Sequence, residues 1–103
     1  MSLAEDEKRT RASLDALRAS WSEAPPVVEF RFEIGEDSTG DPAVFVIAVL
    51  PEETRDEDWT SAYLLPLAHA VKNAIRNARV DRIVYTRFAR PSDLTQPVEG
   101  EEE

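Results

Sequence analysis

Hydrophobic and polar positions alternate with period two along Val27-Val28-Glu29-Phe30-Arg31-Phe32-Glu33-Ile34, the pattern of a strand with one wet face. It places Val28, Phe30, Phe32 and Ile34 on one side and Val27, Glu29, Arg31 and Glu33 on the other. Beyond Pro42 the pattern changes kind. Ala43-Val44-Phe45-Val46-Ile47-Ala48-Val49-Leu50 is apolar throughout, which predicts a strand buried on both faces in the middle of a sheet. The segment between, Gly35 to Pro42, carries Gly, Asp, Ser, Thr and Pro. That turn chemistry predicts an antiparallel hairpin with a long loop.

The helical period appears next. At 100° per residue, Leu64, Leu67, Ala68, Val71, Ala74, Ile75 and Ala78 share one face, with His69, Lys72, Asn73, Arg76 and Arg79 opposite. Thr54-Arg55-Asp56-Glu57 matches a capping box, so helical character is expected to begin between Arg55 and Ser61. Pro66 predicts a kink, or a short lead-in helix before the main one, because it removes a backbone donor and crowds the preceding turn. Arg82 to Phe88 reads as a third strand, closing a β-helix-β unit of the usual right hand. With the apolar strand central, the strand order is 1-2-3 and the third is parallel to the second. The alternative sets the third antiparallel beside the first.

At the N-terminus, Ser2-Leu3-Ala4-Glu5 matches a second capping box, and Thr10, Leu14, Leu17 and Trp21 make a thin apolar stripe on a helix reaching about Ser20. So polar a helix gains little alone, so its first half is expected to fray while Leu14, Leu17 and Trp21 dock on the sheet. Pro25 and Pro26 end it. These readings assemble into one α+β domain of order α-β-β-α-β. Residues 1–24 form the N-terminal helix, residues 27–90 the core, and residues 91–103 a disordered acidic tail. The main amphipathic helix covers one face of a three-stranded mixed sheet, and the N-terminal helix is expected near the other.

Composition removes function classes. With no cysteine among 103 residues, disulfide scaffolds, thiolate zinc sites and thiol nucleophiles are excluded. No apolar run approaches the ~20 residues of a membrane helix, and the acidic start is unlike a signal peptide, so a cytoplasmic protein without membrane partners is expected. Net charge is −9, unevenly spread: residues 26–58 carry two basic and ten acidic groups, residues 59–92 six and one. An acidic first half facing a basic second half suits self-association or steering of a partner, and equally a set of solvated loops and one wet helix face.

Candidate chemistry is sparse. Glu36, Asp37 and Asp41 could offer oxygen ligands to a hard cation, but the spacing is not that of an EF-hand, and a self-capping turn explains the same residues. Glu52, Glu53, Asp56, Glu57 and Asp58 lie on a solvated connector, where paired carboxylates rarely acquire separated pKa values. His69, the single histidine, falls on the wet helix face, and no Gly-x-Ser-x-Gly elbow is present. No catalytic residue, cofactor or metal is therefore expected.

The strongest candidate surface is basic: Lys72, Asn73, Arg76, Arg79, Arg82 and Arg87, with Arg90, Asn77 and Tyr85 nearby. It could follow a phosphate backbone with Tyr85 as a stacking platform. The element order is shared with KH-like proteins, but the Gly-x-x-Gly clamp and aromatic RNP motifs are missing and the total charge is negative. The leading expectation is a non-enzymatic interaction module, a homodimer or a partner of another protein, since a small sheet with an apolar middle strand and one well-formed covering helix leaves apolar area to cover. Nucleic-acid binding is the alternative.

Asp37-Ser38-Thr39-Gly40-Asp41-Pro42-Ala43-Val44-Phe45, followed by an apolar strand and Leu50-Pro51-Glu52-Glu53, resembles a segment of small bacterial proteins bearing Asp-x-[Ser/Thr]-Gly-[Asp/Glu]-Pro-Ala-[Ile/Val]-Phe. The resemblance covers about a sixth of the chain and carries no activity or catalytic residue. What it implies is a partner-binding, antitoxin-like role beside HEPN-type proteins.

Overall fold

The structure, a computed structural model, describes residues 3–95. Helix α1 spans Leu3–Ser20, strand β1 Glu29–Glu36 and strand β2 Pro42–Val49. A 3-10 turn at Asp56–Asp58 leads into helix α2, Ser61–Asn77, followed by strand β3, Ile83–Ala89, and a one-turn helix α3, Pro91–Thr95. The α+β class and the α-β-β-α-β order of the main elements are as the hydrophobic pattern predicts. So is the sheet: its order is β1-β2-β3, β1 antiparallel and β3 parallel to β2.

One core lies on one side of that sheet. Val44, Val46 and Ala48 of β2 pack with Leu64, Leu67, Val71 and Ile75 of α2 and with Leu14 of α1. Phe30, Phe32 and Ile34 from β1 and Val84 and Phe88 from β3 flank them. Fully burying a side chain such as Leu67 or Ile75 contributes about 1.5–3 kcal/mol, so α2 is the element that holds the sheet.

The placement of α1 corrects the sequence reading. It does not cover the opposite face; it packs on α2 and β1, beside the core they already form. Its buried residues, Asp6, Thr10 and Leu14, are four apart in sequence. A stripe one residue wide covers a corner, not a sheet.

The first half of α1 is also anchored where fraying was expected. Asp6 is fully buried, and Arg82 Nε donates to its carboxylate at 2.8 Å while Arg82 Nη1 donates to the Gly35 carbonyl at 3.0 Å. One arginine thus ties α1, the end of β1 and the entry to β3. The cap expected from Ser2 lies outside the described residues.

Local chemistry places the remaining boundaries. Thr60 caps α2, its hydroxyl accepting from the Tyr63 N–H at 3.3 Å. Thr54 does not act as a cap; its hydroxyl donates to the Pro51 carbonyl at 2.6 Å. The lead-in helix expected from Pro66 is the turn at Asp56–Asp58, and α2 runs on through Pro66 itself. At its other end Arg79 N–H bonds the Arg76 carbonyl and Val80 N–H the Ile75 carbonyl, the Schellman arrangement. Arg79 takes the left-handed position there, φ 65°, where glycine is usual.

Two further expectations shift. Val27 joins the core and Val28 is exposed, the reverse of the strand alternation, because β1 begins only at Glu29. Pro91–Thr95, assigned to the tail, is helical, and Asp93 accepts from the Arg90 N–H at 3.0 Å. The rest of the acidic tail, residues 96–103, is outside the described residues.

Candidate functional site

With α1 and α2 on one side, the middle of the other side of the sheet is left open among the described residues. Alternation and register assign its residues in rows across the three strands. Glu33, Phe45 and Tyr85 form one row, and Arg31, Ile47 and Arg87 the next. Phe45 and Ile47 are half-buried, whereas Val46 between them is buried. Water was expected to be excluded from both sides of β2; in its middle it is excluded from one. Only toward the strand ends, at Ala43 and Val49, are the residues of this parity buried.

The rings of Phe45 and Tyr85 stack across the β2–β3 pair, centroids 5.5 Å apart and planes 13° from parallel. Tyr85 and Ile83 are each 44% exposed. Arg31, Glu33, Phe45, Ile47, Tyr85 and Arg87 line a hollow of about 460 Å³. The apolar groups occupy the middle and the charges the flanks, the anatomy of a contact surface. Arg31 pairs with Glu29 at 3.1 Å on the surface. Among the described residues neither Glu33 nor Arg87 is in an ion pair.

Tyr85 is held at its hydroxyl, which donates to Asp37 Oδ2 at 2.8 Å. Asp37 is the organiser of the hairpin loop. Its Oδ1 accepts from Thr39 Oγ1 at 2.6 Å, Thr39 N–H at 2.9 Å and Asp41 N–H at 3.0 Å. Gly40 supplies the positive φ, 88°, that the turn requires. The Thr39 hydroxyl first, then Tyr85, lower the Asp37 pKa to about 2, and the same bond to Asp37 raises that of Tyr85. The Asp-x-Thr-Gly-Asp-Pro segment therefore has a local explanation: it builds the turn and fixes one aromatic ring of the open face.

The basic candidates separate. Lys72, Arg76, Arg79 and Arg82 line a second hollow, about 550 Å³, with Asp81 among them. Arg82 is committed to Asp6 and Gly35, Asn73 is exposed on α2 outside that lining, and Arg87 stands on the open sheet face. Arg90 is structural too: it donates to the Thr54 carbonyl at 2.7 Å and to Asp56 at 2.9 Å and lies 4.6 Å over the Trp59 ring.

Four acidic residues of the connector are likewise occupied: Asp56 by Arg90, Glu57 and Asp58 by Arg55, and Glu52 by Ser92. Glu52 accepts from the Ser92 N–H and hydroxyl at 3.0 and 2.8 Å. His69 is exposed. Among the described residues no three His, Cys, Asp or Glu side chains are grouped to hold a metal ion, and no helix is long and apolar enough to cross a membrane.

Sequence reasoning passed over Phe45 and Ile47, and took Tyr85 only as a stacking platform beside the basic residues, although a signal existed. The wet parity of β1, Glu29, Arg31 and Glu33, pairs directly with Val49, Ile47 and Phe45, so the hairpin register carries the wet face onto the apolar strand. Comparison with protein-family models, with curated proteins and with solved structures returns no match to this chain.

Proposed function

We propose that the protein is a non-enzymatic interaction module that works by self-association, with the open sheet face as its contact surface. The observation that carries this reading is the apolar patch of half-buried Phe45 and Ile47 and exposed Tyr85 at the centre of a face that neither helix covers. A contiguous apolar centre with a polar rim marks a surface that another surface covers. The titratable groups fit the same reading, since Asp37, Asp6, Glu52 and Asp56 each serve a structural bond.

Sedimentation equilibrium on the full chain tests it. A monomer-dimer equilibrium is expected, and Phe45→Glu shifts it to monomer while the far-UV circular dichroism stays unchanged. A wild-type chain that remains strictly monomeric up to about 1 mM, where even affinities of about −4 kcal/mol would show, overturns it. The antitoxin-like role implied by the Asp37–Phe45 segment would put a different protein on this face. A monomeric chain that binds a HEPN-type protein, and loses that binding with Phe45→Glu, is the result that favours it.

A second reading, nucleic-acid binding, rests on the convergence of Lys72, Arg76 and Arg79 in one hollow. Phosphate contacts made there would give salt-dependent retention of RNA or DNA. Reversing Arg76 and Arg79 to Glu would abolish it, and no retention by the wild type at low salt removes the reading.

A further inference from the structure

Of four two-fold arrangements of the open face, one sets Arg31 against Glu33 with no like charges opposed, and we infer that the chain forms a two-fold dimer face to face, its axis perpendicular to the strands and passing between the Phe45 and Ile47 rows. This rests on the self-association proposed above and names its geometry. In this arrangement Glu33 faces Arg31 of the second copy, Phe45 faces Ile47, and Tyr85 faces Arg87.

The rows decide among the alternatives. Closed dimers are isologous, so every contact occurs twice. An axis along the strands would lay β1 over β3 of the second copy and set Arg31 against Arg87, like against like. An axis perpendicular to the strands but through the Ile47 row would set Arg31 against Arg31 and Arg87 against Arg87. Through the Phe45 row it would set Glu33 against Glu33. Between the rows, Arg31 and Glu33 each meet the opposite charge and Arg87 meets an aromatic face.

The unused valences of the monomer agree with this. Neither Glu33 nor Arg87 has an ion-pair partner among the described residues, and the Arg31–Glu29 contact is a surface pair that is exchanged at little cost. Tyr85 is anchored through its hydroxyl and stacked on Phe45, and the residue stays exposed to receive a guanidinium. Sheets packed face to face lie ~10 Å apart, a span that Arg and Glu side chains bridge from opposite sides.

Size sets the strength. Three strands ~4.8 Å apart and ~3.3 Å per residue present roughly 15 by 23 Å of flat area, below the ~800 Å² per partner of standard interfaces. The dimer is therefore concentration-dependent, not obligate.

A charge-swap cycle read by sedimentation equilibrium tests the geometry. Arg31→Glu and Glu33→Arg each set like charges together at two symmetric sites and are expected to raise Kd about tenfold. The double variant R31E/E33R restores the pairs and returns Kd to within about twofold of wild type. Arg87→Glu weakens the dimer, whereas an axis along the strands would make it tighter. A wild-type dimer that the double variant fails to restore, or that R87E strengthens, overturns this geometry and leaves self-association standing. A wild-type monomer overturns both. All three positions are exposed on the sheet, and unchanged thermal unfolding of each variant shows that only association is being read.

Discussion

The two faces of β2 are made of the same kinds of residue and have opposite fates. Val44, Val46 and Ala48 are sealed beneath α1 and α2, whereas Phe45 and Ile47, one position along, look out over a surface that no described element covers. The difference comes from what the chain supplies as cover: one well-formed amphipathic helix and one thin stripe, enough for a single side. An apolar run identifies a central strand, but the number of apolar helix faces decides how many of its sides are dry.

The largest break in that comparison should come from paired truncations measured by urea unfolding at low protein concentration. Ile75→Ala removes a fully buried side chain of the covered face and is expected to cost about 3 kcal/mol or more, whereas Ile47→Ala, half-exposed, costs less than about 1 kcal/mol. Equal losses would mean that the second face is already dry in the monomer.

Next is Arg82→Ala. It leaves the Asp6 carboxylate buried without its cation, at a cost of about 3 kcal/mol, and releases the N-terminal half of α1 to hydrogen exchange. If α1 amides stay protected, the bridge is not what holds that half.

Arg79→Gly sharpens the comparison by touching neither face. Relieving the left-handed residue of the α2 terminus should raise stability by about 0.5–1 kcal/mol, seen as a higher Tm without a change in self-association. The smallest effect belongs to Asp37. Its pKa in the folded chain, about 2, lies below the ordinary 3.8, so its contribution is complete above about pH 4 and is lost as pH falls toward 2. Asp37→Asn should flatten that part of the stability profile. Tyr85, raised by the same bond, contributes below its ordinary pKa of 10.0 and loses that contribution as pH climbs beyond it.

Most of the architecture was legible because it follows from period. Two-residue alternation marked β1, a continuous apolar run β2 and a 100° stripe α2, and these favoured the observed strand order and direction while leaving a third strand antiparallel beside the first as the alternative. What escaped was long-range pairing of polar groups. No periodicity signals that Asp6 meets Arg82 or that Asp37 meets Tyr85; such bonds join positions unrelated in sequence, and a buried acid on a polar helix looks like any other. The basic cluster was legible as charge, but not that Arg82 and Arg90 already have structural partners. The open face stayed hidden for a different reason: burial of β2 was inferred strand by strand, when the exposed parity of its neighbour already constrained it.

The Asp6–Arg82 bridge closes a span of 76 residues, nearly the whole described chain, and so cannot form until the sheet and α2 have placed both ends. A bond made only after the rate-limiting step of folding acts on the reverse reaction. The protein should thus lose this bond with little change in how fast it folds and a marked acceleration in how fast it comes apart, making one arginine a latch on the lifetime of the native state.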